Sequence, residues 1–243
     1  MGQPHPPKCQ LLIELDILHR LARMTDAARS TVEQRAGRAK MRGHGERSPK
    51  EIITEAEDLL RTARFGLEDM EQRPGRAKTG LRNAVVFGRN TTWALQNLKG
   101  KAVGFEKWYA AKQEEMKADP LMKYFCDLRT SIEKKASTPT VMSAHIHSFS
   151  GNDMAKFGPP PPGATSFFIG DQNGGTGWAV PTPDGGEEKY YVQLPSEIGE
   201  VHLHLPEAPE QGEIRNGKAI DLVRIYLNKI GELVSEARKR FAN

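Results

Sequence analysis

The chain has 243 residues, 37% of them hydrophobic and 27% charged, with a net charge of +4. Such a length buries a sizeable core, as one large domain or two small ones. No apolar run approaches the ~18 residues a membrane-spanning helix needs, and neither of the two cysteines, Cys9 and Cys126, sits in a CxxC unit, so no disulfide framework is implied.

The first eight residues are Pro-rich and predicted to be disordered. Acidic residues interrupt the apolar stretch that follows, which is not a signal-peptide pattern, so a cytoplasmic protein without a membrane partner is expected. Leu11, Leu15, Leu18, Ala22 and Thr25 recur at helical spacing and predict a helix from Leu11 to about Arg38. The polar, basic stretch from Gly37 to Pro49 reads as a loop. Ser48, Pro49 and Glu51 then give a capping box with proline in the first turn. Ile52, Ile53, Ala56, Leu59, Leu60, Ala63, Leu67 and Met70 carry that helix to about Gln72, where Pro74–Gly75 breaks it.

The next stretch, Gly80 to Ala136, holds most of the functional signal. Leu81, Ala84, Val85, Gly88, Thr92 and Leu95 form one helical stripe, while Arg82, Arg89 and Trp93 share another. A helical segment with an aromatic cluster, VGFEKWYAAKQEEM, follows. Asp119–Pro120 opens a further helix whose core stripe is Leu121, Phe125, Leu128 and Ile132. Arg129 lies on a neighbouring stripe, one turn before Glu133. Aromatics at this spacing read as core, and Cys126, beside the core stripe, reads as a buried structural thiol.

At Ser137 the texture changes to Gly- and Pro-rich alternation. Strands are predicted at Val141–Phe149, Thr165–Ile169, Gly177–Val180, Lys189–Leu194 and Glu200–Leu205, with Pro159 to Pro162 as a stiff link and DQNGG as a hairpin turn. After Asn216–Gly217, Ala219 to Phe241 is an amphipathic helix with Ile220, Val223, Leu227, Ile230, Val234, Ala237 and Phe241 on one face. The bundle, the sheet or a second copy of the chain must cover that face.

The charge is unevenly spread. Residues 1–138 carry 26 Lys and Arg against 18 Asp and Glu, residues 139–217 carry 3 against 10, and residues 218–243 carry 6 against 3. From Gln72 to Phe105 there are seven basic residues and no acidic one. This asymmetry suits contact with an anion such as RNA or an acidic partner; the alternative is neutralisation of the basic part by the acidic part within one molecule.

The runs RNTTWALQNL, FEKWY and DPLMKYFCDLR resemble a group of uncharacterised bacterial helical proteins that in turn resemble the HEPN superfamily of nucleotide-binding and RNase domains. The resemblance implies a helical scaffold, a homodimer cleft and a nuclease motif of Arg, a polar residue and His five positions after the Arg. There the Arg would hold a phosphate and the His would move protons. Here the motif is incomplete. Arg82–Asn83 is followed at the His position by Phe87, Arg89–Asn90 by Ala94 and Arg129–Thr130 by Lys134, and no His lies between His44 and His145. The resemblance therefore implies a degenerate, non-catalytic member that binds RNA, a nucleotide or a protein partner through Arg82, Arg89 and Arg129, in bacterial stress or phage defence.

Two His-x-His units give a second reading. On a strand, His145 with His147 and His202 with His204 each place two imidazoles on one face. If the strands are neighbours in register, four imidazoles would converge on zinc, iron or nickel and support a metal-dependent enzyme. The alternative is a solvated sheet face with Ile146 and Leu203 pointing inward. A third reading is a structural module that dimerises through the last helix. No Gly-x-Ser-x-Gly elbow, Walker motif or dinucleotide fingerprint is present. The expected architecture is α+β, with a bundle of four to five helices over residues 1–138, a small antiparallel sheet over 139–217 and a C-terminal helix over 218–243.

Overall fold

The computed structural model describes residues 47–212 and 217–242. The helix predicted from Leu11 lies outside them, as does most of the basic loop after it. Helix α1 (Pro49–Gln72) begins as its sequence dictates. The Ser48 hydroxyl accepts from the Glu51 N–H, the Glu51 carboxylate accepts from the Ser48 N–H, and Pro49 occupies the first turn. Helix α2 (Ala77–Gln96) follows the Pro74–Gly75 break, then α3 (Phe105–Ala118) and α4 (Pro120–Lys135). The Asp119 carboxylate caps α4 by accepting from the N–H groups of Leu121 and Met122.

Helix α2 is central. It packs against α1, α4 and the C-terminal helix α5 (Ala219–Phe241). Its approach to α1 depends on two glycines. A Cβ on Gly80 would lie 2.3 Å from the carbonyl oxygen of Gly66, and one on Gly66 would lie 2.6 Å from the carbonyl oxygen of Gly80. The core is filled from all five helices, by Ile52, Leu81, Phe105, Phe125 and Tyr226 among others, with Leu203 and Leu205 from the edge of the sheet region. Phe125 stacks on Tyr226 at 4.4 Å between ring centroids. Leu222, Val223, Tyr226, Leu227, Ile230 and Val234 of α5 are all buried, against α1 and α2 chiefly. The apolar face of the last helix is thus covered within the chain.

Among its described residues the sheet region holds five strands, as its alternation predicts, but they form two sheets. Strands β1 (Val141–Ile146) and β5 (Gly199–His204) pair antiparallel; β2 (Ser166–Ile169), β3 (Thr176–Pro181) and β4 (Glu187–Val192) form an antiparallel meander. A 3₁₀ helix at Gly151–Phe157, which alternation cannot announce, starts the crossover from β1 to β2. The DQNGG segment makes the β2–β3 hairpin turn. There the Asp171 carboxylate accepts from the N–H groups of Asn173 and Gly175, from the Lys189 ammonium and from the Tyr191 hydroxyl. Tyr191 also ties the meander to the helices. Its ring fills the space in front of Gly75, where a Cβ would lie 2.6 Å from it and where φ is +74°. From Ser48 onward the described residues belong to one compact unit. None of the described helices is long and apolar enough to cross a membrane.

Candidate functional site

Trp93 lies off the apolar stripe of α2, and the fold leaves it 41% exposed. Phe105, Trp108, Tyr109 and Phe125 are buried as core and Tyr124 is half-buried, whereas Trp93, like Phe65 on α1, stays exposed. Two guanidinium groups approach its ring. The Cζ of Arg89, one turn earlier on α2, lies 5.5 Å from the centroid, and the Cζ of Arg129, from α4, lies 4.2 Å from it.

The three candidate arginines are held differently. Arg129 is only 15% exposed in its side chain, pairs with Glu133 one turn on, and has a buried Nε with no hydrogen-bond partner among the described residues. The Glu133 salt bridge thus competes with phosphate binding at this position. Arg89 donates from Nη1 to the Thr92 hydroxyl at 2.8 Å, and that hydroxyl donates to the Arg89 carbonyl. Arg82 donates from Nε to the hydroxyl of Thr138, in the segment after α4, at 3.1 Å. Among the described residues neither Arg82 nor Arg89 has a carboxylate partner, and no ion pair joins the basic helices to carboxylates of residues 139–217. Among the described residues, no carboxylate of the acidic sheet forms an ion pair with Arg82 or Arg89. The structure brings Arg89 and Arg129 together around Trp93 and leaves Arg82 two turns away on the same helix.

Beside Arg89 a cavity of 390 Å³ opens between α2, α3, α4 and α5. Met116, Met122 and Tyr226 give it an apolar floor, and Lys117, Lys123 and Arg89 give it a positive rim. Cys126 lines it half-buried, which corrects the expectation of a fully buried thiol. Burial pushes the phenols of Tyr109 and Tyr226 up, although Arg89 opposes this at both, so both stay protonated at ordinary pH. Tyr109 donates its proton to the Thr92 carbonyl at 2.8 Å. On the far side of α4, burial and the charge of Glu207 push Tyr124 up to about 12.

The histidine pairs do fall on neighbouring strands, and their register is now fixed. His145 faces Glu200, Ser143 faces His202 and Val141 faces His204. The imidazoles therefore share one face, but the two pairs are displaced along it. The His202 ring bonds Glu200 at 2.8 Å and lies 3.3 Å from the Lys218 ammonium; His204 bonds the Ser143 hydroxyl at 2.7 Å. Among the described residues no group of three or more His, Cys, Asp and Glu side chains is placed to hold a metal ion. The four-imidazole convergence does not form, because the two units are displaced by four residues in register: His145 and His202 are diagonal neighbours, ~7 Å apart, and the other cross-strand pairs lie farther apart along the ladder. Leu203 is buried behind this face as expected, whereas Ile146, on the same side, is 41% exposed.

The sequence model of a family described as bacteriophage lambda protein ea47 matches residues 65–149. The matched segment runs from the middle of α1 through α2, α3 and α4 into the region of β1. It includes Arg82, Arg89, Trp93 and Arg129 and the first histidine pair, and stops short of the second. No curated protein and no solved structure matches the chain.

Two features escaped the sequence. Trp93 carried a signal, since it sits on the arginine stripe rather than the apolar one. The cavity carried none: Met116, Met122 and Lys123 meet Arg89 only through the packing of separate helices.

Proposed function

We propose that the helical half is a non-catalytic, HEPN-like binding module that takes single-stranded RNA on the Trp93 surface, in a phage-related setting. The observation that carries this reading is an exposed indole with the guanidinium groups of Arg89 and Arg129 against it. Single-strand binders combine an aromatic platform, on which any base stacks, with cations that follow the backbone. Arg89 supplies the phosphate contact, because Thr92 orients its guanidinium and no described carboxylate neutralises it. Arg129 is committed to Glu133, so its role is to hold the indole by cation–π contact. Arg82 extends the positive stripe two turns along α2. The missing histidine at all three arginine positions supports binding without cleavage, and the match to the ea47 family supports the phage-related setting.

The test is fluorescence anisotropy with a labelled oligouridine at two salt concentrations. Trp93→Ala is expected to weaken binding about tenfold, within the ~1–3 kcal/mol that one stacked base contributes. Arg89→Gln is expected to weaken it and to flatten the salt dependence by about one counterion. Oligouridine binding that neither variant changes would rule this surface out.

A further inference from the structure

The cavity beside Arg89 has the make-up of a small-molecule site rather than of a packing defect. Its 390 Å³ falls in the ~300–1,000 Å³ range of natural ligand pockets, and those pockets pair an apolar lining with a few convergent polar groups. Both halves of that description are present. Two methionine thioethers, Met116 and Met122, line the floor with the Tyr226 ring; thioethers are polarisable and adapt to a flat partner. The rim is unbalanced in charge, with Arg89, Lys117 and Lys123 against Asp127 alone. Lys117 is engaged by Glu114 on its own helix at 2.7 Å, in an exposed pair. Arg89 and Lys123 have no carboxylate partner among the described residues, so two cations remain to meet an anion over an apolar floor.

We infer that this cavity binds a small aromatic anion, with its ring on Met116, Met122 and Tyr226 and its carboxylate or phosphate between Arg89 and Lys123. The ring is matched by the dispersion contacts that Met116, Met122 and the Tyr226 ring offer, and Gln113 adds a polar group to the lining. The anion is required because the rim holds positive charge at the edge of a low-dielectric space, where an ion pair is stronger than in water. This site shares Arg89 with the Trp93 surface but needs no RNA, so the two readings stand or fall separately.

The experiment is calorimetric titration of the full chain with 1-naphthyl phosphate. Saturable one-to-one binding is expected. Lys123→Gln, a change at an exposed position that leaves the fold intact, is expected to weaken it about fivefold, and neutral 1-naphthol is expected to bind at least about tenfold more weakly. In a Cys9→Ser background, bound 1-naphthyl phosphate is expected to slow maleimide alkylation of Cys126, which lines the same space. Trp93→Ala, which is expected to lose RNA, leaves 1-naphthyl phosphate binding within about twofold. Absence of saturable binding overturns the inference. So do equal affinities for 1-naphthol or for inorganic phosphate, or Cys126 alkylation at an unchanged rate.

Discussion

The helices and the strands of this chain are held in different proportions by apolar burial and polar contacts. The core cluster draws on each of the described α-helices, whereas the strands add Leu203, with Met142 half-buried against it. Strand β1 is exposed at five of its six positions, and the turn joining β2 to β3 is kept by one carboxylate with four donors. One large apolar core stabilises the first region; a small aromatic cluster of Phe157, Phe167 and Trp178, the polar Asp171 turn and docking of Tyr191 against the Gly75 turn stabilise the second. The surfaces that result also differ. The helical half keeps cations, an indole and a cavity together, while the β1–β5 face spreads its imidazoles along a ladder.

This contrast can be broken most directly in the helical core. Phe125→Ala removes a fully buried ring from its stack on Tyr226 and is expected to cost about 3–5 kcal/mol of stability in urea unfolding. A loss under ~1 kcal/mol would mean that the helices do not depend on this core. Gly75→Val comes next, at about 2–3 kcal/mol. It forces a β-branched residue to a positive φ and drives a Cβ into the Tyr191 ring. Its effect should register as weakened docking of the meander, with faster amide exchange in β4 than in α2.

Asp171→Asn sharpens the comparison through pH. Burial alone would raise the Asp171 carboxyl, but the Gly175 N–H, the Lys189 ammonium, the Tyr191 hydroxyl and the Asn173 N–H together hold it below the usual carboxylate range. Its folded pKa is therefore lower than its unfolded one. The stabilisation is fully present above the unfolded value of about 4 and disappears as pH falls through the folded value. The parent chain should lose stability relative to Asp171→Asn from about pH 5 downward, and at neutral pH the variant should be weaker by about 1–2 kcal/mol. Parallel pH profiles for the two proteins would show that this carboxylate does not hold the turn. The smallest effect is expected on the histidine ladder, where His204→Ala should shift thermal stability by no more than about 0.5 kcal/mol. A larger loss would point to an organising role for that face.

The sequence carried the helices well because their signals are local. The Ser48 cap, the Asp119 cap, the Pro74–Gly75 break and the apolar face of the last helix all act within a few residues of themselves. Five strands were also legible, since alternation is local too. Their division into two sheets was not, because pairing partners such as β1 and β5 lie more than 50 residues apart. The four-residue displacement of one histidine pair against the other decided that four imidazoles would not meet, and alternation is silent on register.

The caps, the periodicities, the charge asymmetry and the loss of the nuclease histidine were determined by the sequence itself, because each is fixed by covalent order. Only the tertiary structure decided that Trp93 stays at the surface between two arginines and that Arg89 and Lys123 overlook one cavity. Those outcomes depend on how helices cross, and crossing is set by the close approach at Gly66 and Gly80 and by the fit of α5 onto α1 and α2.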